Sequence, residues 1–381
     1  MISKANFQLL QLQINFTSFL GMTPFQFNHK NILVTIPKVV FRQYFWFAVV
    51  ILSFITRFYE FSANISEHNN ASPMVVAFQG ILLGCHFCGI LHFAAISQNR
   101  EDFVKLVNSL RTFGKFERVD LRIVRNARRD DLILAISASV GFVGSIAIII
   151  VPVIASTFPA VHKHILLNLC NCNGSNYLQK ILIFLCELLS ILPSAAIGPA
   201  IGTLCLVSVS CIHENLKGIK AHSTSKNHQL CTFFRQLQIL GMFCDKCFQQ
   251  YIWISFQFTG AAFIISSLYA TIVFGHRISN ILILLLVTIC IVTIIFCLSL
   301  LEIGSMPQLI SKKILVKWKL WRDDKYHKKW LRSCKPITMQ VGPLHKLDRQ
   351  RGPALIRFCL QRTFFFVVKT RSSNGGFGQM K

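Results

Sequence analysis

Five long apolar stretches of this sequence, each of 23 residues or more, contain no lysine or arginine: 73–97, 132–155, 181–212, 251–275 and 279–301. A helix rises about 1.5 Å per residue and the hydrocarbon core of a bilayer is about 30 Å thick, so about 20 apolar residues in a row reach across it. Only the third stretch contains an acid, Glu187. In lipid every backbone N–H and C=O needs a partner within its own segment, which leaves the helix as the conformation for such isolated runs. Only 14% of the residues are charged, against about 25% in a soluble protein, so water is not the main solvent of this chain.

Two further blocks extend the series. Residues 41–61 are rich in aromatics and carry Arg42 at one edge and Arg57 near the other, where long basic side chains can snorkel to the interface. Residues 354–368 contain Arg357 and Arg362, tolerated at membrane depth where they face protein or water. The predicted fold class is therefore all-α, a polytopic membrane protein of one domain with seven transmembrane helices.

Lysine and arginine in short connections mark the cytoplasmic side. With seven spans and the N-terminus inside, segments 1–40, 98–131, 213–250 and 302–353 hold 30 basic residues and the segments on the other side hold 6. This partition predicts a cytoplasmic N-terminus. Glycosylation sequons at Asn64, Asn70 and Asn173 fall in predicted outside connections, a check independent of charge. The inside connections carry opposite charges three or four residues apart, as in Glu101, Asp102 and Lys105. That spacing suits helices, so a helical cytoplasmic anchor region is expected. Residues 1–20 mix Lys4 and several amides among apolar positions, unlike a cleavable signal peptide.

The net charge of +25 raises nucleic acid as a partner, but the cations sit between apolar blocks, without the patterning of a nucleic-acid reader. No nucleic acid is expected, and the lipid bilayer is the partner the pattern implies. Phosphate-binding loops, zinc helices and nucleophile elbows are missing from the positions where they would act, which points away from an enzyme. Most of the 14 cysteines lie inside apolar runs, where a thiol behaves as a small hydrophobe. Cys244 and Cys247 form one CxxC, too little for a metal site without further ligands. Neither metal nor cofactor is expected.

Ionisable groups at membrane depth are functional candidates. Glu187 is one, to be read either as a site residue or as a carboxylate paired with a neighbour such as Lys180. His86 and His92 in the second run are read either as ligands or as satisfied core groups. Aromatic residues including Phe78, Phe256, Phe263 and Tyr269 either line a pocket for a small apolar ligand or pack against lipid. The ligand-binding candidates are Phe78, His86, Glu187 and Tyr269. In the last run, Thr363, Phe364, Phe365, Phe366, Val367 and Val368 are flanked by Arg357, Gln361, Arg362 and Lys369. Several copies around an axis would make a hydrophobic gate with polar flanks; the alternative is a misassigned final span.

The approach to that run reads Cys334, Lys335, Pro336, Ile337, then Val341, Gly342, Pro343, then Leu347, Asp348, Arg349. With seven runs, a cytoplasmic N-terminus and long charged connections after the fourth and sixth, the chain resembles the arthropod odorant and gustatory receptor superfamily. The resemblance implies a ligand-gated cation channel of the plasma membrane, a homo- or hetero-tetramer with a co-receptor. It also implies a small volatile or tastant ligand bound in the outer half of each subunit. Thr363, Phe364, Phe365, Phe366, Val367 and Val368 would be the pore-lining stretch. Gustatory members often end this helix in Gln-Phe after five hydrophobic residues; Lys369, Thr370 and Arg371 depart from that pattern, and a cationic ring at the mouth would repel cations. A G-protein-coupled receptor, which needs the N-terminus outside, and a transporter are the alternatives.

Overall fold

The computed structural model describes residues 4–28, 32–35, 37–66, 73–116, 177–222, 228–275, 280–320, 325–343 and 345–375. The expected run 132–155 and the sequons at Asn70 and Asn173 lie outside the described residues. Ten helices are described: α1 (Lys4–Phe19), α2 (Pro37–Ser66), α3 (Pro73–Gln98), α4 (Arg100–Phe116), α5 (Tyr177–His222), α6 (His228–Phe248), α7 (Ile252–Phe274), α8 (Asn280–Lys319), α9 (Lys325–Ser333) and α10 (Arg351–Gly375). Two short antiparallel hairpins interrupt them. The first pairs β1 (Phe25–Phe27) with β2 (Leu33–Thr35), setting Phe25 opposite Thr35; the second pairs β3 (Gln340–Val341) with β4 (His345–Lys346). Among the described residues five helices, α2, α3, α5, α7 and α8, contain segments long and apolar enough to cross a membrane. The chain is an all-α, multi-pass membrane protein.

The apolar runs at 181–212 and 279–301 continue as helix well beyond their last apolar residue. α5 has 46 residues and α8 has 40, lengths of about 69 and 60 Å, twice what a bilayer needs. The connections expected at 213–250 and 302–353 are thus largely extensions of these rods together with α6 and α9. Pro193 and Pro199 sit inside α5 and offer no N–H to the Leu189 and Ala195 carbonyls. The helix continues because it is the most enclosed element of the bundle, with Ile197, Ile201, Leu204, Cys205 and Ile212 all buried.

Around α5 pack α1, α2, α3, α6 and α8, and α7 lies between α3, α8 and α10. The second core lies where the long helices project. α4 buries Phe103, Leu106, Val107 and Leu110, a single stripe at helical spacing, against α6 and β2. Trp318 of α8 is fully buried between Phe234 of α6, edge-on at 5.3 Å, and Trp330 of α9 at 6.0 Å. Cys244 and Cys247, the CxxC pair, are buried in this core.

The strap from Cys334 to Arg349 crosses that core. Ile337 N–H donates to Ser311 Oγ at 3.0 Å and Gln238 Nε2 to the Lys335 carbonyl at 2.6 Å. Gln340 N–H donates to Asp245 at 2.7 Å, and Gly342 N–H to the Gln249 carbonyl at 2.8 Å. Gly342, at φ +61°, turns the β3–β4 hairpin, a backbone conformation that glycine adopts without strain. Ile337, Met339 and Leu347 are buried beneath the strap, so the residues that carry the family resemblance pin the last helix to α6 and α8.

Candidate ligand cavity

Four helices leave a space between them. α3 contributes Cys85, Cys88 and His92, at positions i, i+3 and i+7 on one face, and α5 contributes Ile191, Ser194, Ala195, Gly198 and Pro199 by the same spacing. Phe256, Thr259, Gly260 and Phe263 of α7 and Val292, Thr293, Phe296 and Cys297 of α8 close it. Its volume is about 210 Å³ and it contains no charged side chain. Gly198 leaves room that a larger residue would fill, and Gly260 lets Cys297 of α8 pack against α7.

Aromatic edges shape the walls. Phe256 stands edge-on to His92 at 5.5 Å and to Phe296 at 5.9 Å. His92 is held by α7: its Nε2 lies 3.0 Å from Ser255 Oγ, and Ser255 donates its one proton to the Ile252 carbonyl at 2.8 Å. By proton count His92 therefore donates from Nε2 and is neutral at Nδ1, with Cys88 Sγ 3.8 Å from that nitrogen. Thr259 donates to the Gly84 carbonyl at 3.4 Å.

Next to the cavity, one turn along α5 from Ile191, lies a buried ion cluster. Arg57 of α2 pairs with Glu187 of α5, and its Nη1 donates to Glu60 at 2.9 Å. The three side chains are 3%, 1% and 3% exposed. This corrects two readings of the sequence. Arg57 does not snorkel to an interface but turns inward, and the partner of Glu187 comes from another helix, where sequence neighbours had suggested Lys180.

Of the other sequence candidates, His86 is buried beside the cavity but does not line it; its Nδ1–H donates to the Leu82 carbonyl at 2.7 Å. Tyr269 lies further along α7 and meets Phe366 of α10 edge-on at 6.5 Å. Phe78 and Asn64 lie in α3 and α2. Glu187, His86 and Tyr269 thus do not line the cavity, while His92, Phe256 and Phe263 do. Ser194, Thr293, Phe296 and the two glycines were not singled out, because a small residue in an apolar run carries no signal of what it faces.

The stretch Thr363 to Val368 divides by face. Cys359, Thr363 and Val367, four residues apart, are buried in the packing of α10 on α7 and α8, and Thr363 donates to the Cys359 carbonyl at 2.9 Å. Phe364, Phe365 and Val368 point away from the bundle, at 70%, 55% and 47% exposure, while Phe366 turns toward Tyr269 of α7. Arg362 lies over the Phe358 ring at 5.3 Å, a cation–π contact that shields the ring's face.

The fold is thus a bundle in which two helices run far beyond the length a bilayer needs, a strap crosses their ends and a final helix packs on the flank. Two solved structures share it with this chain. The insect olfactory receptor OR5 from Machilis hrabei aligns over 96% of this chain and 97% of that chain, with TM-score 0.61 and 11% identity. The same receptor in complex with eugenol aligns over the same shares with TM-score 0.62 and 13% identity. No protein-family model and no curated protein matches the sequence.

Proposed function

We propose that the chain is a chemosensory receptor subunit, odorant or gustatory, that acts as a ligand-gated cation channel in the plasma membrane. The observation that carries this reading is the apolar cavity enclosed by α3, α5, α7 and α8, in a chain that shares its fold with a receptor solved in complex with eugenol. A small apolar ligand in the cavity favours the open channel to the extent that it binds the open state more tightly than the closed one.

In this reading the chain crosses the membrane seven times, through α2, α3, 132–155, α5, α7, α8 and α10, with its N-terminus in the cytoplasm. The excess of 30 cations over 6 on the alternate side supports that orientation. The outward Phe364, Phe365 and Val368 face supports assembly: an exposed apolar stripe beside arginines suits a helix that meets other copies around a water-filled axis. The assembly is a homo-tetramer or a hetero-tetramer with a co-receptor.

Recording from cells that express the chain, with and without a co-receptor, against a broad panel of volatiles and tastants tests the reading. Ligand-dependent cation current is the expected result. Labelling of Lys312–Lys329 from outside unpermeabilised cells would reverse the orientation and remove the channel assignment with it.

A further inference from the structure

One of the cysteines that line the cavity stands beside a base. Cys88 and His92 are one turn apart on α3, and Cys88 Sγ lies 3.8 Å from His92 Nδ1 and 3.6 Å from Nε2. Ser255 of α7 holds the Nε2 proton, so Nδ1 is the nitrogen left to take up another. A nucleophile, a base within reach and a third group that orients the base is the arrangement that activates a thiol or hydroxyl. Cys88 is partly exposed, whereas Cys205, Cys244, Cys247 and Cys290 are buried away from the cavity lining. Cys85 and Cys297 also line the cavity, but among the described residues no ring nitrogen lies within hydrogen-bonding reach of either. The volume of about 210 Å³ exceeds the roughly 150 Å³ that takes up benzene. With no charged side chain in the lining, the guest is small and neutral.

Resting on the chemosensory reading, we propose that the cavity is a covalent site for a small neutral electrophile, an α,β-unsaturated ketone or aldehyde that Cys88 captures with His92 as the base. Cys88 Sγ forms a bond to the β-carbon of the ligand as its S–H bond breaks. The proton passes to His92 Nδ1 and from there to the α-carbon, where the electron pair of the former C=C bond becomes a C–H bond. No group leaves, and no oxidant or reductant takes part. An enclosed thiol is inert unless a proton acceptor is at hand, and that requirement selects Cys88 over Cys85 and Cys297. The adduct keeps the ligand's apolar body among Phe256, Phe263 and Phe296, so the site stays occupied after free ligand is removed.

The test uses the full chain in lipid nanodiscs with two probes, hexenone and its saturated counterpart hexanone. Hexanone binding is read as a shift of the unfolding midpoint, and hexenone addition by mass spectrometry of the digested chain over time. Cys88 is expected to gain the hexenone mass at least tenfold faster than any other cysteine, and excess hexanone to protect it. Cys88→Ala should remove the fast adduct, and His92→Gln, which still offers Ser255 a donor, should slow it roughly a hundredfold. Unfolding midpoints of the variants verify their fold; if either does not fold, the ranking of cysteines and the protection by hexanone in the wild type decide. A hexanone shift without preferential addition at Cys88, or addition at Cys85 or Cys297 instead, overturns the covalent site and leaves the receptor reading standing. Neither a hexanone shift nor any adduct in the wild type overturns both.

Discussion

Arg57, in α2, pairs with Glu187, in α5, and holds Glu60 in the same grip; all three side chains are buried. Removing the single cation leaves two carboxylates enclosed together, whereas removing Glu187 leaves Arg57 with Glu60. Arg57→Ala is therefore expected to destabilise the bundle by about 3–5 kcal/mol, and Glu187→Gln by clearly less. Unfolding midpoints of the purified variants compare them; equal losses would show that the cluster does not act as a unit around Arg57.

Asp245, near the end of α6, lies outside the membrane-spanning segments and accepts the Gln340 N–H of the strap. Burial pushes its carboxyl up from 3.8 to about 6, and the Gln340 bond holds back part of that rise. The folded state then binds more protons than the unfolded chain between these values, so stability falls as pH rises from about 4 to 6. Midpoints measured across this range should decline in the wild type and be flatter in Asp245→Asn. Parallel slopes would remove Asp245 from the titration.

Gly198 lines the cavity, and a Cβ there would meet only the His92 ring, at 4.0 Å. Gly198→Ala is thus accommodated without a clash and should raise stability by about 0.5–1 kcal/mol, since glycine in a helix carries extra unfolded-state entropy. The same methyl group takes up ligand volume, and affinity for cavity-filling ligands is expected to drop roughly tenfold. Thermal unfolding and ligand titration on one preparation read the two opposite effects.

The exposed face of α10 separates assembly from folding. Phe365→Ala removes a side chain that is 55% exposed in the single subunit, so subunit stability should change by no more than about 0.5 kcal/mol. If α10 lines a shared pore, ligand-evoked current or tetramer yield should change strongly. Val367→Asp, on the buried face, should instead prevent the subunit from folding. Native gels and current recording distinguish the two variants.

The length of the uncharged runs and the sidedness of the cations belong to the sequence alone, because the bilayer imposes a length on any segment that crosses it and charge is read in short connections. The same reasoning placed helices at 73–97, 181–212, 251–275 and 279–301, where α3, α5, α7 and α8 stand. It did not show that α5 and α8 continue far beyond their apolar runs, since a helix packed on other helices needs no long apolar run. Only the tertiary structure decided which residues face which. The pairing of Arg57 with Glu187 joins positions 130 residues apart, and Ser194 packs closely on α3 because Gly89 leaves space across the interface. Both depend on how helices rotate and approach one another, and that is settled by the packing of side chains from different helices, which no single run of sequence records.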